Sequence, residues 1–393
     1  MRLAADGMND RQDLLRELRR EVARLCAGFG DEYWQRIDAE KGYPSEFVKA
    51  MSDAGHLAAL IPEQYGGAGL CVSEAATILE EVQRSGANGG TCHAQLYTMN
   101  VLLRHGSEEQ RQRYLPEIAA GRLRLQAFGV TEPDAGSDTA RISTFARREG
   151  DEYVVSGQKL WTSRIEHSDL MLLLVRTTPS EEVAKRTDGL SILLVELDGG
   201  ALEGLSVKPV LTMMNHHTTE VFLDQVRVPV ANLIGTEGKG FEYLLSGLNA
   251  ERILIGAECV GDAFWFIERA TQYAKTREVF GRPIGQNQGV QFPIARAYAN
   301  TRAAQLMVED AAARYDAGEG AGAEANLAKL LAADASWEAA NVAVQTLGGF
   351  GFAAEYHVER KFRETLLYQV APISTNLILA YIGHQVLGLP RSY

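Results

Sequence analysis

Glu251 is the acidic residue whose neighbours say most about chemistry. Leu244, Leu248, Glu251 and Ile255 follow one another at steps of four, three and four, which sets the carboxylate in line with an apolar helical stripe. A carboxylate buried there is costly unless a cation answers it or the site uses it, and a desolvated carboxylate whose pKa has risen toward neutrality is a competent general base. Arg252 cannot answer it, because consecutive helical residues point apart; a cation from another helix is the structural alternative. Two further stretches suit ligands. In Gly129-Val-Thr-Glu-Pro-Asp-Ala-Gly-Ser-Asp138 a strand must turn sharply at Pro133 and Gly136, which exposes backbone N–H groups and the hydroxyls of Thr131 and Ser137. In Gln158-Lys-Leu-Trp-Thr-Ser163 a flat aromatic stands beside two hydroxyls, a combination that fits a planar heteroaromatic ligand. An ordinary turn and a core tryptophan are the plainer alternatives.

Other signals are weaker. Gln345-Thr-Leu-Gly-Gly-Phe-Gly351 and Gly235 to Gly240 are glycine-rich but fit neither the dinucleotide nor the P-loop pattern. The adjacent His216 and His217 precede a strand, where they point to opposite faces, so a surface or interface role is expected rather than a shared metal. Cys26, Cys71, Cys92 and Cys259 lack metal or disulfide spacing and are expected to be reduced and inert; no metal is expected.

The elements that must carry these residues are readable from periodicity. Leu14, Leu15, Leu18, Val22 and Leu25 open a helical first third, in which Ser45 before Val48 and Met51 resembles a capped helix start. From about Leu123 the runs Glu152 to Ser156, Asp169 to Arg176, Leu190 to Glu196 and Glu220 to Val228 read as strands of an antiparallel sheet or small barrel. Helical pattern returns over Phe241 to Arg277, Gln291 to Ala317 and Ala321 to Leu347, with a turn at Asp316 to Ala323. The fold class is therefore α+β, mostly α, in the order helices, strands, helices. Lys+Arg 39 against Asp+Glu 51 gives a net charge of −12, a poor match to nucleic acid. Apolar runs such as Leu170 to Val175 fall short of a membrane span. Asp6 and Asp10 interrupt any signal core near the N-terminus, so a cytoplasmic or matrix-like location is expected.

Order and spacing together resemble the acyl-CoA dehydrogenase family over nearly the whole chain. Leu60-Ile-Pro-Glu-Gln-Tyr-Gly-Gly-Ala-Gly-Leu70 looks like the family's N-terminal motif, Gly129 to Ala140 like its first signature, and Gln345 to Glu364 like its second. Thr276 to Gln288 is similar to the segment that reaches a neighbouring subunit's FAD. The resemblance implies a helical domain (1–122), a β-domain (123–237) and a C-terminal four-helix domain (238–393), assembled as a homotetramer, a dimer of dimers. It implies that Phe128, Val130, Thr131, Gly136 and Ser137 line the flavin and the acyl-CoA entrance, and that Trp161, Thr162 and Ser163 flank the isoalloxazine. Arg277, Phe280, Gln288, Gln345, Gly348 and Gly349 would hold the rest of FAD across a dimer contact, with Ser374 and Asn376 near the flavin. Ser137, Asn249, Arg252 and Ile373 would meet the acyl-CoA.

One departure stands out. Most members carry a catalytic glutamate soon after the second signature, where this chain has Pro372 in Tyr368-Gln-Val-Ala-Pro-Ile-Ser-Thr-Asn376. A minority, the isovaleryl-CoA and long-chain types, place the base on the helix entering the C-terminal domain, and Glu251 in Asn249-Ala-Glu-Arg252 matches that position. Proline also has no N–H with which to polarise a thioester carbonyl. The implied function is FAD-dependent dehydrogenation of an acyl-CoA to the 2,3-enoyl-CoA, in fatty acid metabolism, with electrons leaving to an electron-transfer flavoprotein. A flavin oxidase or monooxygenase on the same fold, and a non-catalytic binding protein, are the alternatives.

Overall fold

The computed structural model describes residues 2–197, 199 and 202–391. Helices α1 (Arg2–Cys26), α2 (Asp31–Ala39), α3 (Ser45–Asp53), α4 (Val72–Arg84), α5 (Ala94–His105) and α6 (Glu108–Ala119) come first. Strands β1 (Leu125–Gly129), β2 (Phe145–Glu149), β3 (Glu152–Ser163), β4 (Leu170–Arg176), β5 (Leu190–Glu196), β6 (Leu205–Pro209), β7 (Thr218–Pro229) and β8 (Leu233–Ile234) then form one sheet. Its order is β6-β7-β3-β2-β4-β5-β8, with β1 laid against β4. The remainder is α7 (Gly240–Thr276), a hairpin of β9 (Glu278–Val279) and β10 (Arg282–Pro283), α8 (Gln288–Asp316), α9 (Gly322–Leu347), α10 (Val358–Val370) and α11 (Thr375–Tyr381). Helices, strands, helices is the expected order.

The chain packs into two compact units, one of Met1–Gly42, Cys71–Gly89 and Asn249–Tyr393, the other of Tyr43–Leu70 and Gly90–Leu248. The second unit is built on the sheet. Leu170, Leu172 and Leu174 of β4 and Ile192 and Leu194 of β5 pack with Met99, Leu102, Leu115 and Ile118 of α5 and α6. The opposite faces of the same strands, through Met171, Leu173, Leu193 and Val195, join Tyr153, Val155, Val221 and Val226. Burial on both faces is why β4 and β5 read as unbroken apolar runs. The sheet is mostly antiparallel, as expected; β1 runs parallel to β4, as does the one residue pair that joins β2 to β4.

In the other unit the middle of α7 is buried on all sides, with Ile253, Leu254, Val260 and Phe266 each fully or nearly fully covered. Alanines of α8 and α9, including Ala297, Ala339 and Ala343, complete that core; small side chains let the helices approach closely. Asp316 at the end of α8 accepts from the backbone N–H groups of Val72 (2.9 Å) and Ser73 (3.1 Å), capping α4. Arg11 pairs with Asp316 at 2.9 Å and with Glu74 at 3.0 Å. Cys71, Glu74 and Asp316 are close enough to share a cation, but the two carboxylates are already engaged by Arg11 and by amides. Cys71 is exposed, and Cys26, Cys92 and Cys259 are buried free thiols.

One expectation is corrected. Ser45 is the first residue of α3 and caps nothing, because Pro44 holds the cap position without a side-chain bond. One helical run, Val358–Val386, is long and apolar enough to cross a bilayer by length and composition, since scattered polar residues hide it from a search for unbroken apolar stretches. Its backbone is interrupted at 371–374, and Arg360, Lys361 and Glu364 near its start form buried ion pairs.

Replacing Asp316 with Ala removes the cap of α4 and one partner of Arg11. A loss of about 1–2 kcal/mol is expected, read as a lower urea midpoint at unchanged slope; an unmoved midpoint would contradict the capping role.

Candidate functional site

The end of β3 is shaped by two breaks in its register with β7, between Val155 and Gly157 and between Leu160 and Thr162. An extra residue at such a break is turned out of the ladder. Here it is Trp161, at φ 64° and 55 % exposed, so the core-tryptophan alternative is excluded. Thr162 is turned in. Its carbonyl accepts from the Thr219 hydroxyl at 2.6 Å, while its own buried hydroxyl has no hydrogen-bond partner among the described residues. Ser163 Oγ lies 3.3 Å from Thr218 Oγ1. An exposed indole beside a buried, unspent hydroxyl fits a planar ligand with polar ring atoms, and so fits a flavin.

The turn after β1 is held from beneath by Lys159, which is fully buried. Its ammonium donates to the carbonyl of Val130 (3.1 Å) and to Glu132 (2.9 Å). Glu132 also accepts from the N–H groups of Ser143 (2.7 Å) and Thr144 (2.9 Å), and the N–H of Leu160 donates to the Thr131 carbonyl at 2.8 Å. Gly157 adopts φ +153°, and a Cβ there would fall 2.5 Å from Thr144 Oγ1, so only glycine keeps the Thr144 amide in place. Burial pushes the Glu132 carboxyl up, but the Lys159 charge and these donors outweigh it and hold the group down at about 2. Burial lowers Lys159 to about 8 despite Glu132; the pair is ionised at neutral pH. Phe128, Val130 and Thr131 are half-buried above this pair, and Gly136 and Ser137 are exposed at the tip.

His216 and His217 are half-buried and meet different partners. His216 Nε2 lies 3.3 Å from the Arg164 guanidinium, and His217 Nδ1 lies 3.3 Å from His167, whose ring stacks on Tyr43. Burial, then neighbouring positive groups, lowers His216 well below its usual pKa and His167 to about 4.

In the helical unit Glu251 is 7 % exposed and has no ion-pair or hydrogen-bond partner among the described residues. Burial pushes its carboxyl up to about 7, with Arg252 opposing weakly. Arg252 turns away and donates to Asn249 Oδ1 at 3.0 Å; the alternative of a cation from another helix is not realised. Ser374 caps α11 through its hydroxyl, Ile373 and Ser374 are half-buried, and Asn376 and Pro372 are exposed. Arg277, Gly348 and Gly349 line one groove of about 590 Å³ with Tyr273 and Phe350. Phe280, Gln288 and Gln345 are exposed and do not line it.

Three family models match in series. The N-terminal, middle and C-terminal domains of acyl-CoA dehydrogenase cover residues 12–122, 127–226 and 238–385. The chain belongs to the acyl-CoA dehydrogenase family. It is 36 % identical over 390 residues to the acyl-CoA dehydrogenase fadE12 of Mycobacterium bovis (strain ATCC BAA-935 / AF2122/97), with 96 % of each chain covered. Among solved structures it resembles glutaryl-coenzyme A dehydrogenase in complex with glutaryl-CoA, with TM-score 0.90, 29 % identity and 96 % of both chains covered. It also resembles the prolyl acyl carrier protein oxidase AnaB, with TM-score 0.89, 25 % identity, 96 % of this chain and 99 % of that one. This acyl-CoA dehydrogenase family member is a flavoprotein-type oxidoreductase with the family's three-part α+β fold.

Sequence reasoning missed Lys159, Glu132 and Lys329. The one available signal was a lysine set two residues before Trp161 in a run otherwise fit for burial. Lys159→Met leaves Glu132 buried without its cation, and a loss of about 3–5 kcal/mol is expected by chemical denaturation. Because the folded carboxyl lies below its ordinary 4.5, Glu132 contributes its stability fully above that pH and loses it as pH falls toward 2. The acid limb of the stability curve should therefore flatten in the double variant Glu132→Gln, Lys159→Met, and an unchanged limb would contradict this.

Proposed function

We propose that this chain catalyses FAD-dependent α,β-dehydrogenation of an acyl-CoA thioester to the 2,3-enoyl-CoA, with Glu251 as the base. The observation that supports it is Glu251 itself, a buried carboxylate without a cation, whose proton affinity is raised to about 7 by burial. Such a group takes the α-proton of a thioester at neutral pH far better than an exposed carboxylate does. FAD, when bound, supplies the two-electron acceptor for the β-hydride. Phe128, Val130, Thr131, Gly136, Ser137, Trp161, Thr162 and Ser163 hold the flavin end, and Arg277, Phe280, Gln288, Gln345, Gly348 and Gly349 the rest, the latter set serving a neighbouring subunit in a homotetramer. Ser374 and Asn376 complete the cofactor contacts, and Asn249, Arg252 and Ser137 bind the acyl-CoA.

Pro372 gives no N–H, so the N–H of Ile373 polarises the thioester carbonyl in its place. Electrons leave to an electron-transfer flavoprotein, in the cytoplasm, and the segments 1–122, 123–237 and 238–393 act as the three domains. A second reading, an oxygen-using oxidase, is favoured by the same proline and by the likeness to AnaB; rapid oxygen consumption without CoA dependence would select it.

Glu251→Gln should retain FAD and lower the rate of flavin reduction by acyl-CoA by about 10²–10⁴-fold. In the unaltered protein that rate should rise with pH through about 7, as the carboxyl loses its proton. Fast reduction in the variant would remove Glu251 from the role.

A further inference from the structure

Among the described residues three lysines are fully buried, Lys159, Lys329 and Lys361. Two of them face carboxylates, Lys159 against Glu132 and Lys361 against Asp262 and Glu364. Lys329 has no carboxylate at ion-pair distance among the described residues. Its ammonium donates instead to two backbone carbonyls, Tyr368 at 2.6 Å and Ile373 at 2.9 Å. A buried cation answered only by carbonyls is expensive to keep, and the two it holds belong to the last turn of α10 and to the link that follows it.

The link Ala371 to Ser374 joins α10 to α11, and Tyr368 sits just before it in the last turn of α10. That last turn is already rigid. The Tyr368 hydroxyl donates to Glu258 at 3.0 Å and accepts from Gln83 at 2.8 Å, both inside the core. Lys329 carries that rigidity across to the link, because one ammonium holds the carbonyl of the anchored residue and the carbonyl of Ile373 together. Holding the Ile373 carbonyl fixes the peptide plane on one side of Ile373 and the proline ring restricts the backbone on the other, which leaves the Ile373 N–H between them less freedom.

We propose that Lys329 is a positioning residue, which ties the 371–374 link to the last turn of α10 so that the Ile373 N–H keeps the direction needed to polarise the thioester carbonyl. The proposal rests on the dehydrogenase reading above for its purpose, and on the two hydrogen bonds for its mechanics. Lys329 touches neither substrate nor flavin in this role; it acts through the loop.

The test compares the FAD-loaded protein with its Lys329→Met and Lys329→Arg variants by amide hydrogen exchange and by anaerobic flavin reduction. In Lys329→Met the amides of 369–377 should exchange about tenfold faster or more, while those in the middle of α7 stay unchanged. Flavin reduction by a reactive acyl-CoA should slow by about 10²-fold with its dissociation constant nearly unmoved, and Lys329→Arg should recover part of the rate. Unchanged loop exchange overturns the clamp, as does acceleration spread equally through α7 and α9, which marks general loosening. Should no thioester reduce the unaltered protein, the dehydrogenase reading fails by itself, and the loop exchange still decides whether Lys329 is a clamp.

Discussion

Taking the Glu251 carboxylate out of water without a cation is the constraint on which the rest of the account depends. A carboxylate in water would be ionised at neutral pH but a weak base; the same group desolvated on α7 holds a proton to about pH 7 and is poised to take one from a weakly acidic C–H bond. The protein keeps it so by steering charges elsewhere. Arg252, next in sequence, spends its guanidinium on Asn249, and of the two fully buried acids further along the helix, Glu258 accepts from the Tyr368 hydroxyl and Asp262 is answered by Lys361. Stability alone would favour answering Glu251 too, and its isolation is what supports the proposal that it serves as the base.

The buried lysines show a common device. Lys159 and Lys329 each reach from a secondary-structure element into the backbone of an adjoining loop, Lys159 to the Val130 carbonyl and Lys329 to the Ile373 carbonyl, the latter also holding the Tyr368 carbonyl in the last turn of α10. Loops that approach a ligand must expose backbone donors and so cannot be pinned by packing alone. An ammonium supplies three donors on a long stem and can hold such a loop from its protected side.

Much of this was legible in the sequence, for physical reasons that differ by element. The α8 and α9 helices emerged within about three residues of their bounds, because long alanine-rich segments carry strong periodicity, and β4 and β5 appeared because burial on both faces makes them continuous apolar runs. The outer half of β3 was hidden by Gly157 and by the bulge at Trp161, which break the two-residue alternation. The isolation of Glu251 could be argued from its stripe, since neighbours on one helix are set by spacing. Lys159, Lys329 and Asp316 could not, because a polar residue on a helix or strand reads as solvent-facing until a partner distant in sequence is folded over it.

With Glu251 as the proposed base, the departure at Pro372 relocates the chemistry without abolishing it. The most direct measurement is an anaerobic titration of the FAD-loaded protein with short, long, branched, cyclic and aromatic acyl-CoAs, following the visible flavin absorbance. The account predicts complete bleaching by at least one class of thioester, with the matching 2,3-enoyl-CoA formed in equal amount. A protein that carries FAD and is bleached by none of them would contradict it.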